Sequence, residues 1–103
     1  MLNRYQKNYY IQRRLSKYLF WDVFVDRMDY KKNMQDIIER VAVYGNENDE
    51  RIMNIIYPKR LIKKCLVRSD CLNEQTVKYY SFKLGIKEKV FKWYLKRLVQ
   101  MSC

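Results

Sequence analysis

Residues 34–58 read MQDIIERVAVYGNENDERIMNIIYP, and that stretch decides the fold class. Met34, Ile37, Ile38, Val41 and Ala42 recur at steps of three and four, the spacing that lines one face of an α-helix. Lys31, Lys32, Gln35, Glu39 and Arg40 fall on the water-facing side. Asp29 stands where an N-cap belongs, its carboxylate able to accept the unpaired amides of a first turn. Gly45 is expected to close the helix as a left-handed cap, which carries no Cβ penalty in glycine. GNENDE then forms a polar turn in which Asn46 or Asn48 caps a second helix, with Asp49 and Glu50 in its first turn. Ile52, Met53, Ile55 and Ile56 supply that helix's apolar side. Pro58 ends it and suits the first turn of the next.

The same punctuation continues on both sides. Leu61, Ile62, Cys65 and Leu66 make a third stripe, and RSDCLN (68–73) interrupts it. Asn73 caps a fourth helix that runs to Leu84 and is closed by Gly85. Residues 88–100 read as a fifth, with Val90, Phe91, Tyr94, Leu95 and Leu98 inward. Upstream, residues 2–18 suit a helix with Leu2, Tyr5, Tyr9, Ile11 and Leu15 near one side. Between them lies LFWDVFVDRMDY (19–30), where Leu19, Phe20, Trp21, Val23 and Val25 form an apolar plug, with Phe20 and Trp21 as core anchors. Asp22, Asp26 and Asp29 would share a face if that segment were helical, and three carboxylates can hold a divalent ion. Separate work is preferred: Asp29 as a cap, Asp22 and Asp26 in turns or paired with Arg27, because the neighbouring valines are poor company for a hydrated ion. The expectation is an all-α protein, a compact bundle of four to six short helices. A basic N-terminal extension occupies 1–18 and a single helical domain 19–103.

Composition agrees. The chain has 103 residues, 49% of them apolar, enough for one modest core. Two glycines and one proline are too few for the many turns of a β-sandwich or barrel. No apolar run approaches the roughly 18–20 residues that cross a bilayer, and the basic N-terminus lacks the apolar segment of a secretory signal. Cys65, Cys71 and Cys103 have no disulfide-framework spacing and suit a reducing cytoplasm, the first two as small buried hydrophobes. With no histidine to join them, three scattered thiols make a poor metal site.

The absence of histidine also removes an imidazole base and every Ser-His or Cys-His pair. Both glycines sit at helix ends rather than in a phosphate-cradling loop. Asp36 and Glu39 stand beside Lys32 and Arg40 as ordinary surface pairs. An enzyme is not expected, and no cofactor is called for.

Charge is the strongest global signal. The formal net is +11, distributed as +5 over residues 1–19, −3 over 20–58 and +9 over 59–103. Basic ends draw polyanions, and the acidic middle suits a basic partner. Within the basic C-terminal half, KKCLVRSDCLNEQTVKYYSFKLG (63–85) has the outline of a helix-turn-helix, which spans about 59–84. Leu66 and Leu72 would bury across the turn, with Val77 and Tyr80 pointing into the first helix. Glu74, Gln75, Lys78, Tyr79, Phe82 and Lys83 would stay outside. Gln75 suits an adenine edge, Lys78 and Lys83 a guanine or phosphate, and Lys63, Lys64 and Arg68 the backbone of double-stranded DNA. Cys71 takes the place of the usual glycine in the turn, Val67 that of a small residue, and Asp70 adds a negative charge. A plain helical hairpin, with Tyr79 and Phe82 buried against the last helix, is the rival arrangement.

Three segments carry a resemblance: LSKYLFWDV (15–23), IIERVAVYG (37–45) and CLNEQTVKYYSFKLGI (71–86). Together they resemble a family of small bacterial helical domains of unknown function with an LFWD motif, often encoded beside nucleotidyltransferase toxins of the abortive-infection type. The resemblance implies an antitoxin-like or transcriptional regulatory role without catalysis. Its partners would be DNA or, in the alternative, a toxin that the domain binds and neutralises without touching DNA. The basic N-terminus and extended C-terminal helix depart from the family pattern, and their apolar faces would suit a homodimer.

Overall fold

Asn46 and Asn73 each open a helix as their local signals direct, and the chain closes around one core. The computed structural model describes residues 2–101, with side chains through residue 96. Six α-helices follow in order: α1 (Arg4–Tyr9), α2 (Met34–Tyr44), α3 (Glu47–Ile56), α4 (Lys59–Arg68), α5 (Glu74–Leu84) and α6 (Lys92–Met101). A π-helical turn, Tyr10–Arg14, extends α1, and 3-10 turns span Lys17–Phe20, Val25–Arg27 and Glu88–Val90. There is no strand among the described residues, so the architecture is an all-helical globule. No helix among them is long and apolar enough to cross a membrane.

The core joins Ile37, Ile38 and Val41 of α2 to Ile52, Met53 and Ile56 of α3, Ile62, Cys65 and Leu66 of α4, and Val77 and Tyr80 of α5. Phe91, at the entry to α6, is fully buried among them. The N-terminal segment contributes Ile11 and Leu15 to the same core, while Tyr5 and Tyr9 stay exposed. Ile11 stands six residues from Tyr5, which turns it off that face of a helix. An Asn3–Gln6 capping box starts α1. Leu15 N–H donating to the Tyr10 carbonyl at 3.0 Å marks the wider turn that follows.

Two carboxylates fasten this segment to the bundle. The buried Asp29 accepts from Arg4 Nε and Asn8 Nδ2, both at 3.0 Å, and from the amides of Lys31 and Lys32, both at 3.1 Å. The Asn8 amide, the Lys32 N–H and the Arg4 guanidinium hold its carboxyl far below the usual range. Asp29 therefore caps the turn that precedes α2, one turn ahead of the helix proper at Met34. Asp49 has no exposed surface and accepts from Ser16 N–H (2.9 Å), Ser16 Oγ (2.8 Å) and Asn46 N–H (3.1 Å). It completes a capping box with Asn46, which is the cap of α3.

Several sequence expectations are corrected. Gly45 has φ −74° and ψ 158°, so it is extended rather than left-handed. Glycine is required there because a Cβ would lie 2.5 Å from the Val41 carbonyl oxygen and 3.0 Å from Asp49 Cβ. Gly85, at φ 66°, does take the left-handed conformation. Leu19 and Phe20 are core residues, but Trp21 is 84% exposed and no anchor. The reason is Arg40, whose Nη1 donates to the Leu19 carbonyl at 2.8 Å and to Asp22 at 2.6 Å, while Nε donates to Asp36 at 2.8 Å. That clamp grips the chain on either side of Trp21, whose ring faces water. Cys71 is exposed, unlike the buried Cys65. Ile55, Val90 and Leu95 are also about half exposed, at the margins of their stripes. Leu98 and Cys103 lie outside the described side chains.

Candidate functional site

The basic half of the chain is built around α4 and α5, joined by residues 69–73. Pro58 precedes α4 in an extended conformation that its ring favours, and its carbonyl accepts from Leu61 and Ile62. Ile62, Cys65 and Leu66 face the core, which leaves Lys59, Arg60, Lys63, Lys64 and Arg68 exposed along the opposite side. Burial pushes the Cys65 thiol above its ordinary pKa. The connection is anchored inward by buried Ser69 and Leu72, and the Ser69 hydroxyl accepts from Cys71 N–H at 3.2 Å. Asn73 Oδ1 accepts from Thr76 N–H at 2.8 Å and opens α5.

α5 buries Thr76, Val77 and Tyr80 and exposes Glu74, Gln75, Lys78, Tyr79, Phe82 and Lys83. Phe82 is 88% exposed, so it does not pack on the last helix as a plain hairpin would require. The side chains proposed from sequence nevertheless differ in their surroundings. Lys63 and Lys64 have no carboxylate partner within 4.0 Å among the described residues. Arg68 donates through Nε to Gln35 Oε1 at 2.6 Å, tying the end of α4 to α2. Gln75 is exposed beside Lys78, and Lys78 pairs with Glu74 at 3.4 Å along the same helix. Lys83 pairs with Glu50 of α3 at 3.1 Å, and the Tyr79 hydroxyl donates to the same carboxylate at 2.8 Å. Those contacts with Glu50 and Tyr79 raise the Lys83 pKa.

The acidic residue in the connection is also compensated. Asp70 lies 3.7 Å from Lys96 and 3.8 Å from Lys92, whose positive charges lower its pKa. Sequence inspection did not include Lys59 and Arg60 among the candidates. Their signal was the i, i+4 relation to Lys63 and Lys64, which continues the same face one turn toward the N-terminus of α4.

The acidic middle diverges from a metal site. Asp22 goes to Arg40, whose hydrogen bond lowers its pKa, and Asp29 goes to Arg4 and Asn8. Among the described residues, no group of three or more histidine, cysteine, aspartate or glutamate side chains is placed to hold a metal ion.

This is a small, strongly basic, all-helical protein. The chain belongs to a family of unknown function, DUF6922, whose model matches residues 15–66. That match takes in α2, α3 and most of α4, whereas α5 and α6 lie beyond it. No curated protein matches the chain, and no solved structure does.

Proposed function

We propose that this protein is a non-enzymatic nucleic-acid-binding regulator that grips double-stranded DNA along α4 and the start of α5. The observation that carries the proposal is the composition of α4: five cations and no acid in ten residues, with the cations on the solvent side. Lys59 with Lys63, Arg60 with Lys64, and Lys64 with Arg68 are like-charge i, i+4 pairs, each disfavouring the helix by about 0.2–0.5 kcal/mol. Lys59 and Arg60 also sit in the first turn, where the helix dipole favours an anion. A phosphate backbone laid along this face would relieve both penalties.

In this arrangement Gln75 and Lys78 are the residues at hand for a base edge or a neighbouring phosphate. Lys83 and Tyr79 hold α5 to α3 through Glu50, and their part is positional. The antitoxin-like role implied by the LFWD resemblance would add a nucleotidyltransferase-type toxin as a second partner, testable by co-purification with its neighbouring gene product.

The direct test is fluorescence anisotropy with a random-sequence duplex over a salt series. Lys63→Ala with Lys64→Ala should weaken binding at every sequence and make the slope of log K against log[salt] shallower by about two. No binding at low salt would exclude the proposal.

A further inference from the structure

A cleft opposite in character to the basic face lies in the acidic middle of the chain. It encloses about 500 Å³ between the 3-10 turn at Lys17–Phe20 and the outer side of α2, within the range of ordinary ligand pockets. Its walls include Tyr18, Trp21, Val43 and Tyr44, and Cys71 of the connection between α4 and α5 reaches its edge. The three aromatic residues are 54%, 84% and 68% exposed, although the chain buries the neighbouring Leu19 and Phe20. The Tyr18 hydroxyl donates to the Tyr44 carbonyl at 2.8 Å, which fixes one wall.

The rim is acidic: Asp22, Asp36 and Glu39 line the cleft, and its single cation is Arg40. Arg40 is already committed, with Nε on Asp36 and both terminal nitrogens on Asp22, at 2.6 and 3.2 Å. It therefore neutralises part of the carboxylate charge and offers little to a ligand. Three carboxylates and one guanidinium leave the cleft net negative in a chain of net charge +11.

We infer that this cleft is a docking site for one lysine or arginine side chain of a partner protein, carried on a short segment with apolar neighbours. The aliphatic stem would lie on Val43 and the rings, and the cationic head would meet Glu39 and Asp36. A cation over an aromatic face gains from the ring quadrupole, most of all at tryptophan. The charge of the whole protein narrows the occupant further. Long-range repulsion from +11 opposes a polybasic tail or a second copy of this chain. The cleft's own field dominates only within a Debye length, about 8 Å at physiological salt. A segment with a single cation and no excess positive charge satisfies both conditions. The cleft does not include the α4 cations, although Gln35 links the two surfaces by donating to Glu39 and accepting from Arg68, both at 2.6 Å.

Trp21 is the natural reporter. In a Trp93→Phe background, whose fold is checked by circular dichroism, Trp21 is the only tryptophan. The probe is the blocked tripeptide acetyl-Leu-Arg-Leu-amide, with citrulline replacing arginine in the control. The arginine peptide should shift Trp21 emission saturably, and the citrulline peptide should bind about ten-fold more weakly. Glu39→Gln should weaken the arginine peptide several-fold, with its Tm measured alongside because Gln35 donates to Glu39, and Lys63→Ala with Lys64→Ala should leave peptide binding unchanged. Equal affinity for the two peptides would overturn the inference, as would an undisturbed Trp21 at millimolar peptide. Self-association in sedimentation equilibrium that Trp21→Ala abolishes would also overturn it, by assigning the cleft to a second copy.

Discussion

Asp49→Ala isolates the long-range contact on which the N-terminal third depends. The carboxylate has no exposed surface and receives the Ser16 amide, the Ser16 hydroxyl and the Asn46 amide, all within 3.1 Å. Alanine strands two backbone N–H donors, and each donor left without an acceptor costs about 1–3 kcal/mol. Removing a buried charge is favourable when its partners are replaced as well, but here they remain. Because the Asn46 amide lies nearer to water, the low end of that range suits it, and the combined loss is about 3 kcal/mol. A domain of this size loses roughly 4–8 °C in Tm per kcal/mol, so the expected drop is about 12–24 °C. Urea unfolding followed by far-UV circular dichroism measures the free energy, and a thermal scan measures the shift. Ser16→Ala, which removes only the hydroxyl, should cost about 1 kcal/mol. A stability for Asp49→Ala within 1 kcal/mol of the parent would refute the assignment of Asp49 as the fastening point.

The lowered Asp29 pKa has a definite sign: its contribution is complete above the unfolded value of about 3.9 and drains away as pH falls toward the lower folded value. Asp29→Asn should therefore reduce the urea midpoint at pH 7 while flattening its fall below pH 4. An unchanged acid limb would contradict the role given to Asn8, Lys32 and Arg4. The two glycines should respond in the reverse order from their φ angles alone. Gly85→Ala meets open space and costs about 1–2 kcal/mol for its left-handed backbone. Gly45→Ala drives a Cβ against the Val41 carbonyl and should cost more, as read by chemical denaturation. Equal losses at the two positions would show that the Gly45 contact relaxes easily.

Helices α2 to α5 were legible because their signals are local. Asn46, Asn73 and Gly85 act within one turn of their own positions, and Ile37, Ile38 and Val41 declare a face by spacing alone. The outward set on α5, from Gln75 to Lys83, followed from the same periodicity. Pairing did not. Nothing near Lys83 in the chain announces Glu50, and nothing near Ser16 announces Asp49, because each partner lies about thirty residues away. Trp21 shows the limit most clearly: its apolar neighbours suggest a core residue, yet its ring faces water in a segment that Arg40, about twenty residues on, holds at Leu19 and Asp22. Gly45 differs from it, since the atoms that exclude a Cβ there, the Val41 carbonyl oxygen and Asp49 Cβ, both lie four residues away. The sequence by itself determined the helical class, the caps at Asn46, Asn73 and Gly85, and the charge division, all readable over a few residues. Tertiary structure alone decided which carboxylates become anchors, which cations remain available and which aromatics stay exposed. Those outcomes depend on what the folded chain brings within hydrogen-bond reach.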